Sequence, residues 1–412
     1  MSHRRAVTPR AICVFTGARA EYGLLRPTMA ELRDHPDVTL QILVAGAHLS
    51  PEYGMTCDAI VRDGFEIDER VEMLLSSVTS VGVAKSLGLG VIGFADALTR
   101  LSPDVLVVLG DRYEALAVAT TAMLLRIPIA HVAGGECTEG AVDESIRHAI
   151  TKMANLHFVA ADEFRQRVIQ LGEPPERVMT VGAPGLDSIA RLKPLTRAQL
   201  QGELELSLCP PVLAVTYHPV TAEGEDPAVG VTPLLAALDA MVDATVVITQ
   251  PNADTAAPRI TSAMRMWVAR HPERARLFAA LGQQRYLSLL AVADVVVGNS
   301  SSGLIEAPVL GTPTVNIGPR QRGRPRAASV IDCPDDAAAI TAAICEALSP
   351  DGRRRAQERQ SVYGKVGAAH HIVAKLVSTD PAALLNKRFY TVSAIRRPSA
   401  ITESVLASIP QR

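Results

Sequence analysis

The chain has 412 residues, 48% of them hydrophobic and 20% charged, with a formal net charge of -2. Single cores rarely grow past about 250–300 residues, so two domains are expected. The near-neutral balance gives no reason to expect nucleic-acid or membrane-surface binding, which needs a marked basic bias, and no apolar run is expected to reach the roughly 18–20 residues of a bilayer span.

In chain order, MSHRRAVTPR is basic, but the apolar run after it is too short for a signal-peptide core. Strands are expected at AICVFT (11–16), TLQILVAG (39–46), DVLVVLG (104–110), IPIAHV (127–132), HFVAA (157–161) and RVMTVG (177–182). Between them lie helical patterns: YGLLRPTMAELR, the stretch Ser80 to Leu101, and YEALAVATTAMLLR. Strands that are apolar throughout, rather than alternating, indicate parallel sheets covered on both faces. The same grammar resumes after a proline-containing stretch near 193–211, with PVLAVTYHP, ATVVITQP, VADVVVGNSSSG and TPTVNIG. The expected fold is α/β: two doubly wound Rossmann-like domains facing a cleft. The first is placed at 1–192 and the second at 193–361, a C-terminal helix at 362–391 returns to the first, and 392–412 is a tail. Six scattered cysteines with no CxxC pair suit a reducing cytoplasm and mostly buried thiols, and argue against structural zinc. No other metal cluster is expected.

In such sheets ligands bind beyond the carboxyl ends of the strands, so the residues just after each strand carry the information. GNSSSGLIEA (298–307) follows an apolar strand and opens a helix; its serines and the free N–H groups of a helix start make a phosphate seat. The blander reading is an ordinary serine cap. It is not a P-loop, because the lysine is absent. LGDRYEA (109–115) puts Asp111 and Arg112 at a strand mouth, where a local ion pair would also account for them. TGARAEYG (16–23) offers Arg19 to a diphosphate but departs from GxGxxG, which disfavours a nicotinamide site. His218 in YHPVT ends a strand of the second domain, and QPNADT and PRQRGRPR add Asn252 and Arg320.

The densest stretch is HVAGGECTEGAVDESIRHAITK (131–152). His131 ends a strand, a glycine turn follows, and a helix is expected from about Val142. There Asp143 and Arg147 share one face, and Glu144 and His148 the next. An amphipathic helix with i,i+4 pairs explains Glu144 and His148. A glycine–glycine–glutamate turn after a buried strand points instead to acid/base chemistry at a cleft.

These motifs, in order from about Ala11 to Tyr390, resemble the hydrolysing UDP-N-acetylglucosamine 2-epimerases, which supply N-acetylmannosamine-type sugars for sialic acid and its relatives. The resemblance rests on TGARAEYGLL, LGDRYEA, HVAGGECTEGAVDESIRHAITKM, VGAPGLD, YHPVT, QPNADT, LGQQRYLSLLAVADVVVGNSSSG and GTPTVNIGPRQRGR. Non-hydrolysing members resemble GTRPE, HVEAGLRT and HRREN at these places.

The resemblance implies a GT-B-like fold, no organic cofactor, a UDP-sugar substrate and a cytoplasmic homodimer or homotetramer. By position, Arg19 would hold the diphosphate and Ser300 and Ser301 would seat phosphate. Glu306 would bind ribose, and Arg112, Asn252 and Arg320 would line the nucleotide and sugar pocket, with His131 a further substrate contact. Asp111 and Asp143 match catalytic carboxylates and His218 the active-site histidine. Some members carry a carboxylate two residues after the strand-end histidine; Ala133 stands there in this chain, and Glu136 is the local substitute. Relatives accept UDP-N-acetylglucosamine or a 2,4-diacetamido-6-deoxy sugar nucleotide of the legionaminic type. A glycosyltransferase of the same architecture and a non-catalytic sugar-nucleotide sensor are the rival readings.

Overall fold

The computed structural model describes residues 9–77, 79–138, 142–219, 230–251 and 257–392. Seven parallel strands form the first sheet: β1 (Arg10–Thr16), β2 (Val38–Ala45), β3 (Glu69–Val71), β4 (Val105–Leu109), β5 (Ile129–Val132), β6 (Leu156–Val159) and β7 (Val178–Thr180). Their spatial order is β3-β2-β1-β4-β5-β6-β7. Six more form the second sheet: β8 (Val212–Thr216), β9 (Thr245–Thr249), β10 (Ala275–Phe278), β11 (Val295–Gly298), β12 (Thr314–Ile317) and β13 (Val330–Cys333). These run β10-β9-β8-β11-β12-β13. In each sheet the chain order reverses beside the first strand, between β1 and β4 and between β8 and β11. Such switch points are where α/β sheets open a crevice for ligands.

Three strands were not expected: β3, β10 and β13. All are sheet edges, and their sequences ERV, ARLF and VIDC are short and interrupted by charge. An edge strand is covered less completely, so it need not be apolar throughout. The central strands β4, β5, β8 and β9 are buried at every residue.

The first sheet is filled on one face by Val14, Val107, Val132 and their neighbours, joined by Ile372, Leu376 and Leu384 from the C-terminal segment. Its other face packs Phe15, Leu106 and Val108 against Phe94, Ala97 and Leu98 of the helix Ser80–Leu101. That helix corrects one expectation. It has 22 residues and a mean hydropathy of 1.5 over 18 of them, so by length and composition it is long enough to cross a membrane. In this fold it is a covering helix, capped by the Thr79 hydroxyl and laid against the sheet. The second sheet surrounds Trp267, Val297 and Ile317 on one face, and Leu200 and Leu204 pack on the other.

The thiols also differ from expectation. Cys13, Cys57 and Cys333 are buried, but Cys209 and Cys345 are exposed, the latter on the outer face of the helix Ala337–Leu348. The segment after residue 380 is tied to the first sheet through buried Glu173, which meets Lys152 at 2.6 Å, Lys387 at 2.8 Å and His157 at 2.9 Å. The tail after residue 392 lies outside the described residues.

Candidate active site

β4 and β5 lie side by side, so the turns after them share one edge of the sheet. After β4 come Gly110, Asp111 and Arg112, the last capping the helix Tyr113–Leu124. After β5 the chain turns through Ala133 at φ +64° and Gly135 at φ +76°. A Cβ at Gly135 would collide with the Phe164 carbonyl, so glycine is required there. Ala133 carries a left-handed backbone without being glycine, a strain typical of functional turns.

His131 is fully buried. Its Nδ1 pairs with the Thr151 hydroxyl at 3.1 Å and its Nε2 with the Gly110 carbonyl at 2.8 Å. Burial lowers its pKa to about 3, so it stays neutral. The substrate contact expected of it does not fit, because both ring nitrogens are engaged inside the domain. It holds the β4 turn in place instead.

Arg147 organises this edge, and the sequence reading gave it no role of its own. It is 1% exposed, on the helix Val142–Met153. Its guanidinium bonds the Asp111 carboxylate, the Thr138 hydroxyl at 2.8 Å, the Glu136 carbonyl at 2.8 Å and Glu144 at 3.0 Å. Burial works against its charge, but Asp111, Glu136 and Glu144 outweigh it and hold its pKa up. Glu144 also takes the Thr138 N–H and meets His148 at 3.1 Å. Burial opposes its charge, yet the Thr138 N–H, Arg147 and His148 bring its carboxyl below the usual range. Asp143 sits exposed in the first turn of the same helix.

Glu136 is 7% exposed. Its carboxylate lies 3.1 Å from Arg324, which also donates to the Cys137 carbonyl at 3.2 Å. Arg324 follows β12 in the second half of the chain. Expected as a substitute base, Glu136 is already occupied by a guanidinium, which suits it to joining the two halves rather than meeting a substrate proton.

Arg112 is held by Glu114 through two bonds of 3.2 Å and lies 3.8 Å from Glu21. Burial raises the Glu21 carboxyl to about 7 against the pull of Arg112. Arg19 is exposed at the first position of the helix Arg19–Arg33, just beyond β1.

Across from these, β11 ends at Gly298, whose φ of +137° and close approach to the Thr216 carbonyl admit no Cβ. Asn299 is fully buried and clips two strand ends together: it accepts the His218 N–H at 2.7 Å and donates to the His218 carbonyl at 2.9 Å. Its own carbonyl takes Arg320 at 3.0 Å and Gln321 at 2.8 Å. The polar run GNSSSG draws attention to its serines, and that is why Asn299 went unnoticed. Burial, and then the Arg320 charge, push the His218 pKa far down, so its imidazole is neutral.

The Ser300 hydroxyl accepts the Ser302 N–H at 3.4 Å, so the serine turn in part caps the helix that it opens. Ser301 is the cap residue of the helix Ser302–Leu310, yet its side chain accepts no bond from the helix. Ser302 is bonded by Tyr286 at 3.0 Å. One turn along, burial raises the Glu306 carboxyl to about 7, with the Glu136 charge adding to the effect. Its Oε2 is buried and has no hydrogen-bond partner among the described residues. A helix start beside an acceptor atom with no partner can receive both an anion and a pair of hydroxyls. Asn252 lies outside the described residues. Among those described, no three His, Cys, Asp or Glu side chains converge as metal ligands.

Residues 30–377 match the family described as UDP-N-acetylglucosamine 2-epimerase. The chain is 40% identical over 326 residues to the "GDP/UDP-N,N'-diacetylbacillosamine 2-epimerase (hydrolyzing)" of Campylobacter jejuni, covering 79% of this chain and 85% of that protein. It is 36% identical over 340 residues to the UDP-N,N'-diacetylbacillosamine 2-epimerase (hydrolyzing) of Legionella pneumophila, covering 82% and 89%. The crystal structure of UDP-GlcNAc 2-epimerase from Neisseria meningitidis bound to UDP-GlcNAc superposes with a TM-score of 0.75 at 18% identity, over 90% of this chain and 100% of that one. The last likeness establishes the fold, two Rossmann-like sheets of GT-B type; with the matched family and the two relatives, the chain belongs to the UDP-N-acetylglucosamine 2-epimerases, on their hydrolysing branch.

Proposed function

We propose that this enzyme cleaves a UDP-N-acetylglucosamine-type sugar nucleotide to UDP and the free sugar inverted at C2. The observation that carries the reading is the Asp111 carboxylate, fixed at the end of β4 by buried Arg147, which also holds the neighbouring loop 136–138 that Arg324 joins to the half bearing the serine turn.

The diphosphate docks on the start of the helix Ser302–Leu310, with the Ser300 and Ser301 hydroxyls and the charges of Arg19 and Arg320 around it. Glu306 accepts from ribose hydroxyls, and Arg112 lines the pocket. The C1–O bond breaks and its electron pair leaves with UDP, whose growing charge the helix start and the arginines stabilise. No carbonyl acidifies the C2 hydrogen, so it is lost only once positive charge builds at C1. A carboxylate, Asp111 or Asp143, takes that proton, and the C–H pair closes a C1=C2 double bond. Water then bonds to C1 while a proton returns to C2 on the opposite face. Neutral His218, its backbone held by Asn299 beside the serine turn, offers a ring N–H to the departing oxygen.

In deuterated water the reading expects UDP and a free mannose-configured sugar with one deuterium at C2. Slow UDP release without exchange would mean a transferase lacking its acceptor, and binding without release a sensor. On the same reading the enzyme works in the cytoplasm as a homodimer or homotetramer, and light scattering of the purified protein tests the oligomeric state.

A further inference from the structure

A cavity of about 470 Å³ opens where the chain crosses from its first half to its second, and the mechanism uses none of its residues. One wall is the helix Arg19–Arg33. Another is the helix Pro184–Ala190 with the connection 191–193, and a third is the first turn of the helix Gly282–Val292. The two halves touch here. Gln283 donates to the Gly23 carbonyl at 2.9 Å and to the Ser188 hydroxyl at 2.8 Å, and Gln284 to the Lys193 carbonyl at 2.9 Å.

The wall is basic. Arg26, Arg33, Arg191 and Lys193 face one carboxylate, Asp63, which is already taken by Arg26 at 2.9 Å and by the Tyr22 hydroxyl at 2.6 Å. Arg33 pairs with Asp34 and Arg191 with Glu31, both from outside the wall. Both arginines are exposed, and an exposed ion pair holds its partners weakly. Among the described residues Lys193 has no carboxylate within ion-pair distance. Such a balance favours an anion of more than one charge, and the arginine fork fits phosphate oxygens two at a time. A lone phosphate would leave most of the volume empty, since the space is that of a small organic ligand. Pro27, Leu192 and the two glutamines offer apolar and amide surface to the part that carries no charge.

We infer that this cavity binds a polyphosphate of nucleotide size, its phosphates on Arg26, Arg33 and Lys193, and that the bound anion slows the enzyme. The ligand touches both halves and the connection between them, so it holds them in their present docking. A nucleotide product leaves the cleft only as the halves part, so occupancy here lowers turnover from outside the site. The binding does not depend on the epimerase reading; the effect on turnover rests on it.

The test titrates ATP, pyrophosphate and adenosine into the protein by calorimetry, with UDP at saturation so that the phosphate seat is filled. It is repeated in Arg33→Glu and Lys193→Glu, which reverse charge at two exposed positions. ATP should bind at a single site per chain and adenosine should not. Pyrophosphate should bind at least about threefold more weakly than ATP, and each variant should weaken ATP by about 10-fold or more. Saturating ATP should lower the wild-type kcat by about twofold or more. The variants, with rates in the absence of ATP within about twofold of wild type, should not respond to it. No heat from ATP under saturating UDP, equal binding of pyrophosphate, equal binding by the variants, or bound ATP that leaves kcat unchanged would each overturn the inference. If ATP binds as expected but no sugar nucleotide releases a C2-inverted sugar, the binding site stands, and the epimerase reading falls together with the effect on turnover.

Discussion

Replacing Arg147 with methionine removes a buried cation of similar volume and leaves its partners behind. The Asp111 and Glu144 carboxylates, the Glu136 carbonyl and the Thr138 hydroxyl all lose a donor at once. Breaking a buried ion pair from one side costs about 3–5 kcal/mol. Asp111 and Glu144 both retain roughly a quarter of their side-chain exposure, so water recovers part of the loss and the lower end, about 3 kcal/mol, is expected. The Glu144 carboxyl is held below its ordinary 4.5 in the folded protein, so its share of stability is present above that pH and lost as pH falls below it. The gap between wild type and variant in urea melts should therefore narrow under acid. Arg147→Lys keeps the charge but not the fork that reaches four partners, and should lie between the two. Because Asp111 loses its anchor, C2 deuterium incorporation should fall by at least about 100-fold in the methionine variant. A variant that melts like wild type and exchanges at near-native rate would refute the idea that Arg147 organises the site.

Asp111→Asn and Asp143→Asn should each lower turnover by at least about 100-fold without loss of UDP binding; near-native rates would remove that residue from the chemistry. Glu306 has a folded pKa of about 7, above its ordinary 4.5, so its contribution to stability is full below 4.5 and is lost as pH rises through 7. Glu306→Gln should hence be more stable than wild type at pH 8 and indistinguishable at pH 4, with KM for the sugar nucleotide raised throughout; an unchanged melting difference across that range would contradict the assignment. Glu173→Gln leaves Lys387 without its carboxylate and should release the segment after residue 380, read as new cleavage there in limited proteolysis. Glu173 is held at about 2, burial resisting and His157 and the lysines prevailing, so wild type should show the same release only as pH falls from 4.5 toward 2.

What was legible in the sequence follows burial. Central strands such as β4 (VLVVL) and β8 (VLAVT) are buried on both faces and announce themselves as unbroken apolar runs. The edge strands β3, β10 and β13 do not, unlike the edge strand β7, and β13 even carries Asp332 to pair with Arg326. Residues at strand ends were legible for the same reason, because position along a parallel strand implies which edge they occupy. Partners across the fold were not. Arg147 was expected to share a face with Asp143, yet its guanidinium reaches 36 residues back to Asp111. Arg324 reaches 187 residues back to Cys137, and Glu173 joins Lys387 across the whole C-terminal half. No local period encodes such pairings. His131 shows the opposite failure: a histidine at a strand end looked like a ligand contact and is a buried strut.

The loop 136–138 links these observations. Arg147 holds it from within the first half, through the Glu136 carbonyl and the Thr138 hydroxyl. Arg324 holds it from the second half, through the Glu136 carboxylate and the Cys137 carbonyl. A buried guanidinium is costly unless it is paired: buried Arg147 meets four partners, and half-buried Arg324 meets the Glu136 carboxylate and the Cys137 carbonyl. The same Arg147 fixes Asp111, and the Glu136 charge adds a lesser push to the Glu306 carboxyl that burial raises, one turn from the serines. Any movement of the second half against the first must therefore be felt at Asp111 through no more than two side chains. In the proposed mechanism this connection couples docking of the second half to the setting of the Asp111 carboxylate, an order that would shield a cationic sugar from water until UDP has left.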